Sequence, residues 1–127
     1  MALDAPRRTD LPQGDEIARR EDSRDHKRAA RLRLLTLAAD LDDVGVHTRI
    51  MEHHEHPVVL RCWNPDLMRR AREVICVPDG AHGPRAWEFQ YLLPVGKTIA
   101  DATHALQPGT ATEAAGKVRD ELKGAGV

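Results

Sequence analysis

Hydrophobic positions recur at two different periods along the chain, and the first is helical. Between residues 27 and 44 the apolar side chains are three or four positions apart, which is typical of one face of an α-helix. They are Ala30, Leu34, Leu37, Ala38, Leu41 and Val44. Gly45 follows, as is common after a helix C-terminus. Asp40, Asp42 and Asp43 crowd that end, where the helix dipole disfavours anions, and we interpret them as a solvated acidic end.

After Gly45 the apolar residues alternate with polar ones, which predicts β-strands. The four predicted strands are residues 46–52, 58–63, 73–77 and 86–92. Residues 67–72 are predicted as a connector with at most one helical turn. Residues 98–106 fit either a short fifth strand or a helical turn, and the pattern does not decide between them.

A second helix is predicted near the C-terminus. Residues 110–113 read Thr-Ala-Thr-Glu, a capping box that opens a helix. Successive strands with short connections pair antiparallel, and helices at the two ends of the chain can cover only one face of their sheet. The predicted fold is therefore α+β: a four-stranded antiparallel meander with an N-terminal and a C-terminal helix on one face.

Residues 1–27 have a different composition from the rest of the chain. They combine dense, nearly cancelling charge with Pro6, Pro12 and Gly14, and they contain few apolar residues. Such a segment cannot offset its ordering entropy by burial. We predict a charged tail over residues 1–27 that is disordered, or a frayed helix near residues 17–20, and a single α+β domain over residues 28–127.

Charge and cysteine usage exclude several classes of protein. The net charge of −1 makes nucleic acid an unlikely partner, since binding to its backbone depends on neutralising phosphates. Cys62 and Cys76 are too few for the disulfide framework of a secreted domain, and we interpret them as buried apolar side chains. No apolar run approaches the roughly 20 residues of a membrane helix, and no secretion signal opens the chain. We therefore expect a cytoplasmic protein without a membrane partner.

The sheet face away from the helices is the first candidate for function. Large apolar residues set among charges on an open sheet face are typical of a protein interface, often that of a homodimer. The predicted interface residues are Val59, Arg61, Trp63 and Glu88, with Arg49 and Gln90 on the same face. Trp63 would be the aromatic anchor and Arg61 a charged partner. This predicts a non-enzymatic protein-interaction module without catalytic residues or a cofactor.

A histidine-rich hairpin gives an alternative. His53, His54 and His56 lie beside Glu52, and imidazole with carboxylate is a ligand set for zinc or nickel. On an extended strand Glu52, His54 and His56 would share one face, so a metal site is geometrically feasible. The other interpretation is a polar turn, because the sequence indicates no rigid groups that would orient the rings.

A less favoured alternative is a metal-dependent nuclease. Asp79 in a loop and Glu88 on the next strand are similar to the acids of the PD-(D/E)xK nucleases, in which a lysine assists the attacking water. Gln90 occupies the lysine position, and a glutamine cannot supply that charge.

Four short motifs carry a resemblance to a known group. They are Leu60-Arg61-Cys62-Trp63-Asn64-Pro65, Val74-Ile75-Cys76-Val77, Trp87-Glu88-Phe89 and Ala114-Ala115. In this order the chain resembles a group of small actinobacterial α+β proteins with no assigned activity, many of which are companions of helix-turn-helix regulators. The resemblance covers about residues 30–124. It implies a compact α+β fold and a regulatory or partner-binding role, with a transcriptional regulator or a second copy as partner, and it transfers no catalytic residue.

Overall fold

The computed structural model describes residues 4–53, 56–83, 85–93 and 96–124, with side chains from Arg24 onwards except at 67–70, 80 and 124. The helices are α1 (Asp4–Asp43) and α2 (Thr112–Gly124). The strands are β1 (His47–Met51), β2 (Val59–Asn64), β3 (Leu67–Pro78), β4 (Trp87–Tyr91) and β5 (Thr98–Asp101). A 3-10 turn covers Gly80–His82.

The five strands form one sheet in the order β1-β2-β3-β4-β5, and every neighbouring pair is antiparallel. The α+β class and the meander are confirmed, but the predicted number of four strands is wrong. The fifth strand is Thr98–Asp101, in the segment where sequence pattern left strand and helix open. The predicted connector over residues 67–72 is also a strand, since it forms the first half of β3.

Both helices pack against the same face of the sheet. Helix α1 contributes Leu34, Leu37 and Leu41, all fully buried, at the positions that the helical period predicts. Val118 and Leu122 of α2 complete the helical side of the core. The facing sheet residues, from β1 to β5, are Ile50, Leu60, Cys62, Val74, Cys76, Phe89, Tyr91 and Ala100. No helix among the described residues is both long enough and apolar enough to cross a membrane.

Helix α1 extends further towards the N-terminus than predicted. Its backbone is helical from Asp4, whereas composition predicted at most a frayed helix before residue 27. Extending an existing helix costs far less than nucleating one, and this explains how a charged segment continues the buried helix. The first described side chains that reach the domain are His26, whose ring lies 5.8 Å from that of Trp87, and Lys27, which donates to the His53 carbonyl at 3.2 Å. The division into a tail and a domain near residue 27 stays a prediction.

The acidic end of α1 is not simply solvated, because Asp40 is buried. Its two carboxylate oxygens accept hydrogen bonds from the backbone N–H groups of Gly109 and Ala111, each at 2.8 Å. These groups lie just before α2, so Asp40 caps the other helix. The Thr110 hydroxyl, predicted to cap α2, donates instead to the Gln107 carbonyl.

Candidate protein-interaction face

The sheet face opposite the helices, called the open face below, is not covered by any described element. The residues on this face are identified from the strand register, because residues paired across neighbouring strands point to the same side of the sheet. They are His47, Arg49, Met51, Val59, Arg61, Trp63, Ala71, Glu73, Ile75, Val77, Glu88, Gln90, Thr98 and Asp101. The structure therefore places all four predicted interface residues on the open face.

A basic row crosses β1 and β2. Arg49 lies directly opposite Arg61, and both side chains are exposed. Like charges directly opposite each other on antiparallel strands repel. Glu73 lies opposite Arg61 on β3 and offsets one of the two guanidinium charges. The row keeps a net positive charge at the β1–β2 side of the sheet.

Next to the basic row, Trp63 forms one corner of the open face. It is paired with His47 on β1 and Ala71 on β3, and the His47 and Trp63 rings meet edge to face with centroids 5.9 Å apart. Trp63 is only half-buried. A shallow groove of about 240 Å³ lies between Trp63, Met51 and the two arginines. This corner can therefore contact a partner through an aromatic surface and two guanidinium groups.

An apolar row runs through the middle of the open face. Met51 pairs with Val59, and Ile75 follows on β3, one position beyond the Leu60–Val74 pair. Met51 and Ile75 are half-buried, whereas Val59 is 9% exposed. Val59 therefore contributes more to packing within the sheet than to a contact surface. On β4 the row ends in Gln90, opposite Ile75.

An acidic row lies beyond the apolar row, on β4 and β5. Glu88 is paired with Val77 on one side and Asp101 on the other. The Glu88 carboxylate accepts from Gln90 Nε2 at 2.9 Å and from Thr98 Oγ1 at 2.5 Å. These hydrogen bonds hold the carboxylate in place on the β4–β5 side of the sheet.

The acidic row borders a depression with a volume of about 670 Å³. Asp79, Glu88, Asp101, His82, Arg85 and His104 line it. Partial desolvation raises the pKa of Asp79, but hydrogen bonds from His82 and from the Ala81 N–H outweigh this and hold the pKa below its ordinary value. Asp79 therefore remains ionised, and the depression is an acidic site that suits a cationic group.

The four predicted interface residues do not form one cluster. Val59, Arg61 and Trp63 are on β2, whereas Glu88 is two strands away and four positions further along the sheet. With strands about 4.8 Å apart and about 3.3 Å per residue, Arg61 and Glu88 are separated by about 16 Å. Glu73, Ile75 and Asp101 were not predicted on this face, although the alternation within residues 73–77 identifies the first two.

The predicted metal ligands are only partly described. Glu52 is exposed and forms an ion pair with Arg31 at 3.2 Å. His56 is exposed, and its ring centroid lies 6.1 Å from that of His53. His54 lies outside the described residues, so the set Glu52, His54 and His56 stays a prediction. Within the described part of the chain, no group of three or more His, Cys, Asp or Glu side chains is arranged to hold a metal ion.

The two acids of the predicted nuclease site, Asp79 and Glu88, share the acidic depression. Gln90, which occupies the lysine position of that motif, donates to Glu88. Asp79 forms a hydrogen-bonded pair with His82. The two acids are therefore near each other, but the described residues that line the depression include no lysine.

Together these features define an α+β protein with two helices on one sheet face and a charge-patterned open face on the other. Comparison with protein-family models, with curated proteins and with solved structures finds no match to the chain. The chemistry of the open face is therefore the evidence for function.

Proposed function

We propose that this protein is an interaction module that binds another protein surface through its open face. The observation that carries the proposal is the corner where half-buried Trp63 lies beside the exposed pair Arg49 and Arg61. Tryptophan and arginine are the residue types most often found at the energetic centres of interfaces. Glu73 offsets one of the two adjacent guanidinium charges, and the remaining charge favours an acid on the partner.

These features specify the chemistry of the partner surface. An acidic group opposite Arg49 and Arg61 would relieve their repulsion, and a planar guanidinium binds a carboxylate through two parallel hydrogen bonds. An apolar strip on the partner would cover Met51 and Ile75. We infer that the partner is a folded protein surface with carboxylates beside an apolar patch.

Site-specific photo-crosslinking in cells of the native host would test this function. A photoreactive phenylalanine analogue is placed at Met51 on the open face and, as the matched control, at Leu35, which is 40% exposed on α1. We expect a discrete crosslinked protein from position 51 and none from position 35. Trp63→Ala should remove the crosslink while circular dichroism shows an unchanged fold, because loss of an anchoring tryptophan typically costs about 2 kcal/mol of binding, roughly 30-fold.

Equal crosslinking from both positions, or a crosslink at position 51 that persists in folded Trp63→Ala, would show that the open face is not the binding surface. Mass spectrometry of the product identifies the partner. A regulator, another protein and a second copy of this chain are thus separate outcomes of the same experiment.

A further inference from the structure

The distribution of charge on the open face points to a second copy of this chain as the partner. We infer that two copies pack open face to open face about a two-fold axis, and that the Arg49–Arg61–Trp63 corner of each enters the acidic depression of the other. This inference rests on the proposed function of the open face and names its partner.

The charges of the open face lie at two opposite ends of it. Ile75 lies near the centre of the open face, on the middle strand of the sheet. Arg49 and Arg61 lie towards β1, two register positions before Ile75, level with Glu73. Glu88 and Asp101 lie towards β5, two positions after it, level with Val77. The positive and negative pairs are thus at opposite ends of one diagonal through Ile75.

A two-fold axis that passes between the faces at Ile75 can run across the strands, along them or on either diagonal. An axis across the strands would leave the arginines over β1 and β2 of the partner, at least two strands, or about 10 Å, from its Glu88 and Asp101. An axis along the strands would exchange β1 with β5 but leave the charges four register positions, about 13 Å, apart. Of the two axes at about 45°, the one along the charge diagonal would place arginine over arginine. The one perpendicular to that diagonal places each arginine pair over the partner's Glu88 and Asp101, in both halves of the interface.

The diagonal axis also makes the two sheets cross at about 90°, which is one of the two preferred arrangements of packed sheets. Ile75 lies on this axis and therefore meets its own copy, and the image of Met51 falls beside the partner's Val77 on β3. An isologous contact of this kind requires a self-complementary surface, and the open face meets that requirement.

The diagonal two-fold axis also predicts where Trp63 of one copy contacts the other. With the strand spacings above, its image falls just outside the partner's Asp101, at the rim of the depression of about 670 Å³. Arg61 falls between the partner's Glu88 and the partner's Asp101. The basic corner of one copy and the acidic row of the other are therefore complementary in charge.

The size of the face sets the expected strength of the dimer. Five strands about 4.8 Å apart, with about six residues each, give a flat area of roughly 24 Å by 20 Å, or about 480 Å² per copy. Stable interfaces bury about 800 Å² per partner, so we expect a weak, reversible dimer that loses strength with added salt.

Sedimentation equilibrium of the full chain tests the inference, across about 1–500 µM, the range in which weak complexes form. We expect the wild-type protein to reach twice the chain mass within this range. Arg49→Glu/Arg61→Glu should weaken self-association at least about tenfold, because like charges then face each other in both halves. Arg28→Glu/Arg119→Glu makes the same change of charge on the helices and should leave the dimer unchanged.

The decisive measurement mixes complementary variants. Glu88→Lys/Asp101→Lys should also be largely monomeric, and mixing it with Arg49→Glu/Arg61→Glu should restore a dimer, since both halves again pair opposite charges. If the lysine variant does not fold, Glu88→Gln/Asp101→Asn removes the negative charges without reversing them and should weaken the wild-type association by a similar factor.

A dimer that withstands both charge changes, or two variants that do not combine, would overturn the diagonal arrangement. A wild-type chain that stays monomeric throughout, while position 51 crosslinks another protein in cells, would overturn the second copy as partner and leave the proposed function standing. Absence of any crosslink from position 51 would overturn the proposed function itself.

Discussion

At the scale of single residues, the two cysteines show how register limits chemistry. Cys62 lies opposite Arg72, four positions before Cys76 on the adjacent strand. That separation is about 13 Å along the strand, whereas the Cα atoms of a disulfide lie roughly 4.4–6.8 Å apart. Both thiols are buried, and burial raises the pKa of each to about 12. They are small core side chains, as interpreted from sequence.

Two measurements follow from these thiols. At pH 8 in the folded protein we expect almost no reaction with a thiol-specific reagent, and immediate reaction after unfolding in urea. The pKa of each thiol is about 9.0 in the unfolded chain and about 12 in the folded protein. Between pH 9 and pH 12 the thiols therefore stay protonated in the folded state but lose their protons in the unfolded state. Stability should therefore fall as pH rises above 9, by about 1 kcal/mol for each thiol between pH 9 and pH 10.

Cys76→Ala is the control for the pH measurement, because it should remove half of that loss and leave the remainder to Cys62. Rapid labelling of the folded protein at pH 8, on a timescale faster than unfolding, would contradict the buried placement of the thiols.

At the scale of elements, the correctly predicted strands are those in which apolar and polar residues alternate in step with buried and exposed positions. The first half of β3 was missed because charged residues interrupt the pattern. Arg72 is an instance: it points to the helix face but lies at the edge of the core, where its guanidinium reaches Glu121 of α2 at 3.4 Å. Pairing with β2 through the turn at Pro65 extends the strand despite this composition. Sequence pattern alone does not include that pairing.

The link between α1 and α2 is a second feature of elements that local pattern misses. An aspartate at the C-terminal end of its own helix is electrostatically unfavourable, yet Asp40 faces the backbone N–H groups at the start of α2, where a negative charge is stabilising. The stabilising effect of Asp40 therefore depends on Gly109, which is 69 positions away along the chain.

Substitution of Asp40 should therefore weaken the whole domain. Asp40→Ala removes a charged acceptor from two N–H groups and leaves the buried Ala111 N–H without it, which should cost about 2–3 kcal/mol. Asp40→Asn keeps an acceptor oxygen but loses the charge and should cost about 1 kcal/mol. Urea denaturation measures both values.

Asp42 provides the matched control for this capping role. It is exposed on the same turn of α1, and Asp42→Ala should change stability by less than about 0.5 kcal/mol. Equal effects of Asp40→Ala and Asp42→Ala would mean that the cap contributes nothing.

At the scale of the whole molecule, sequence predicted the layered architecture and the split of the sheet into a helix face and an open face. Trp63 and Trp87 are on opposite faces, and Trp87 lies beneath the buried Arg33, whose guanidinium carbon is 4.6 Å from its ring centroid. The sequence pattern did not decide whether β5 is a strand or a helical turn. Its two buried residues, Ile99 and Ala100, are adjacent in sequence because the register with β4 shifts there, and this breaks the alternation of apolar and polar residues.

The diagonal arrangement of charge could not be predicted either. It depends on which residue of one strand lies level with which residue of the next, and a one-residue slip changes that for every side chain. Alternation assigns Arg61 and Glu88 to one face but gives no distance between them.

The N-terminal limit of the folded unit is the remaining property of the whole molecule that experiment can settle. Residues 1–23 contain few apolar side chains, so deleting them should change the free energy of unfolding by less than about 0.5 kcal/mol. Deleting residues 1–27 also removes the contact between His26 and Trp87 and the hydrogen bond from Lys27 to His53. We expect it to cost about 1 kcal/mol more than the shorter deletion.

The two deletions differ by only four residues, so they compare the contacts of His26 and Lys27 almost directly in urea denaturation. A large loss of stability from the shorter deletion would place the start of the domain within the first half of α1. Neither deletion touches the open face, so self-association measured on the same samples should be unchanged, and a charged tail that contributes to the dimer would be detected as a difference between them.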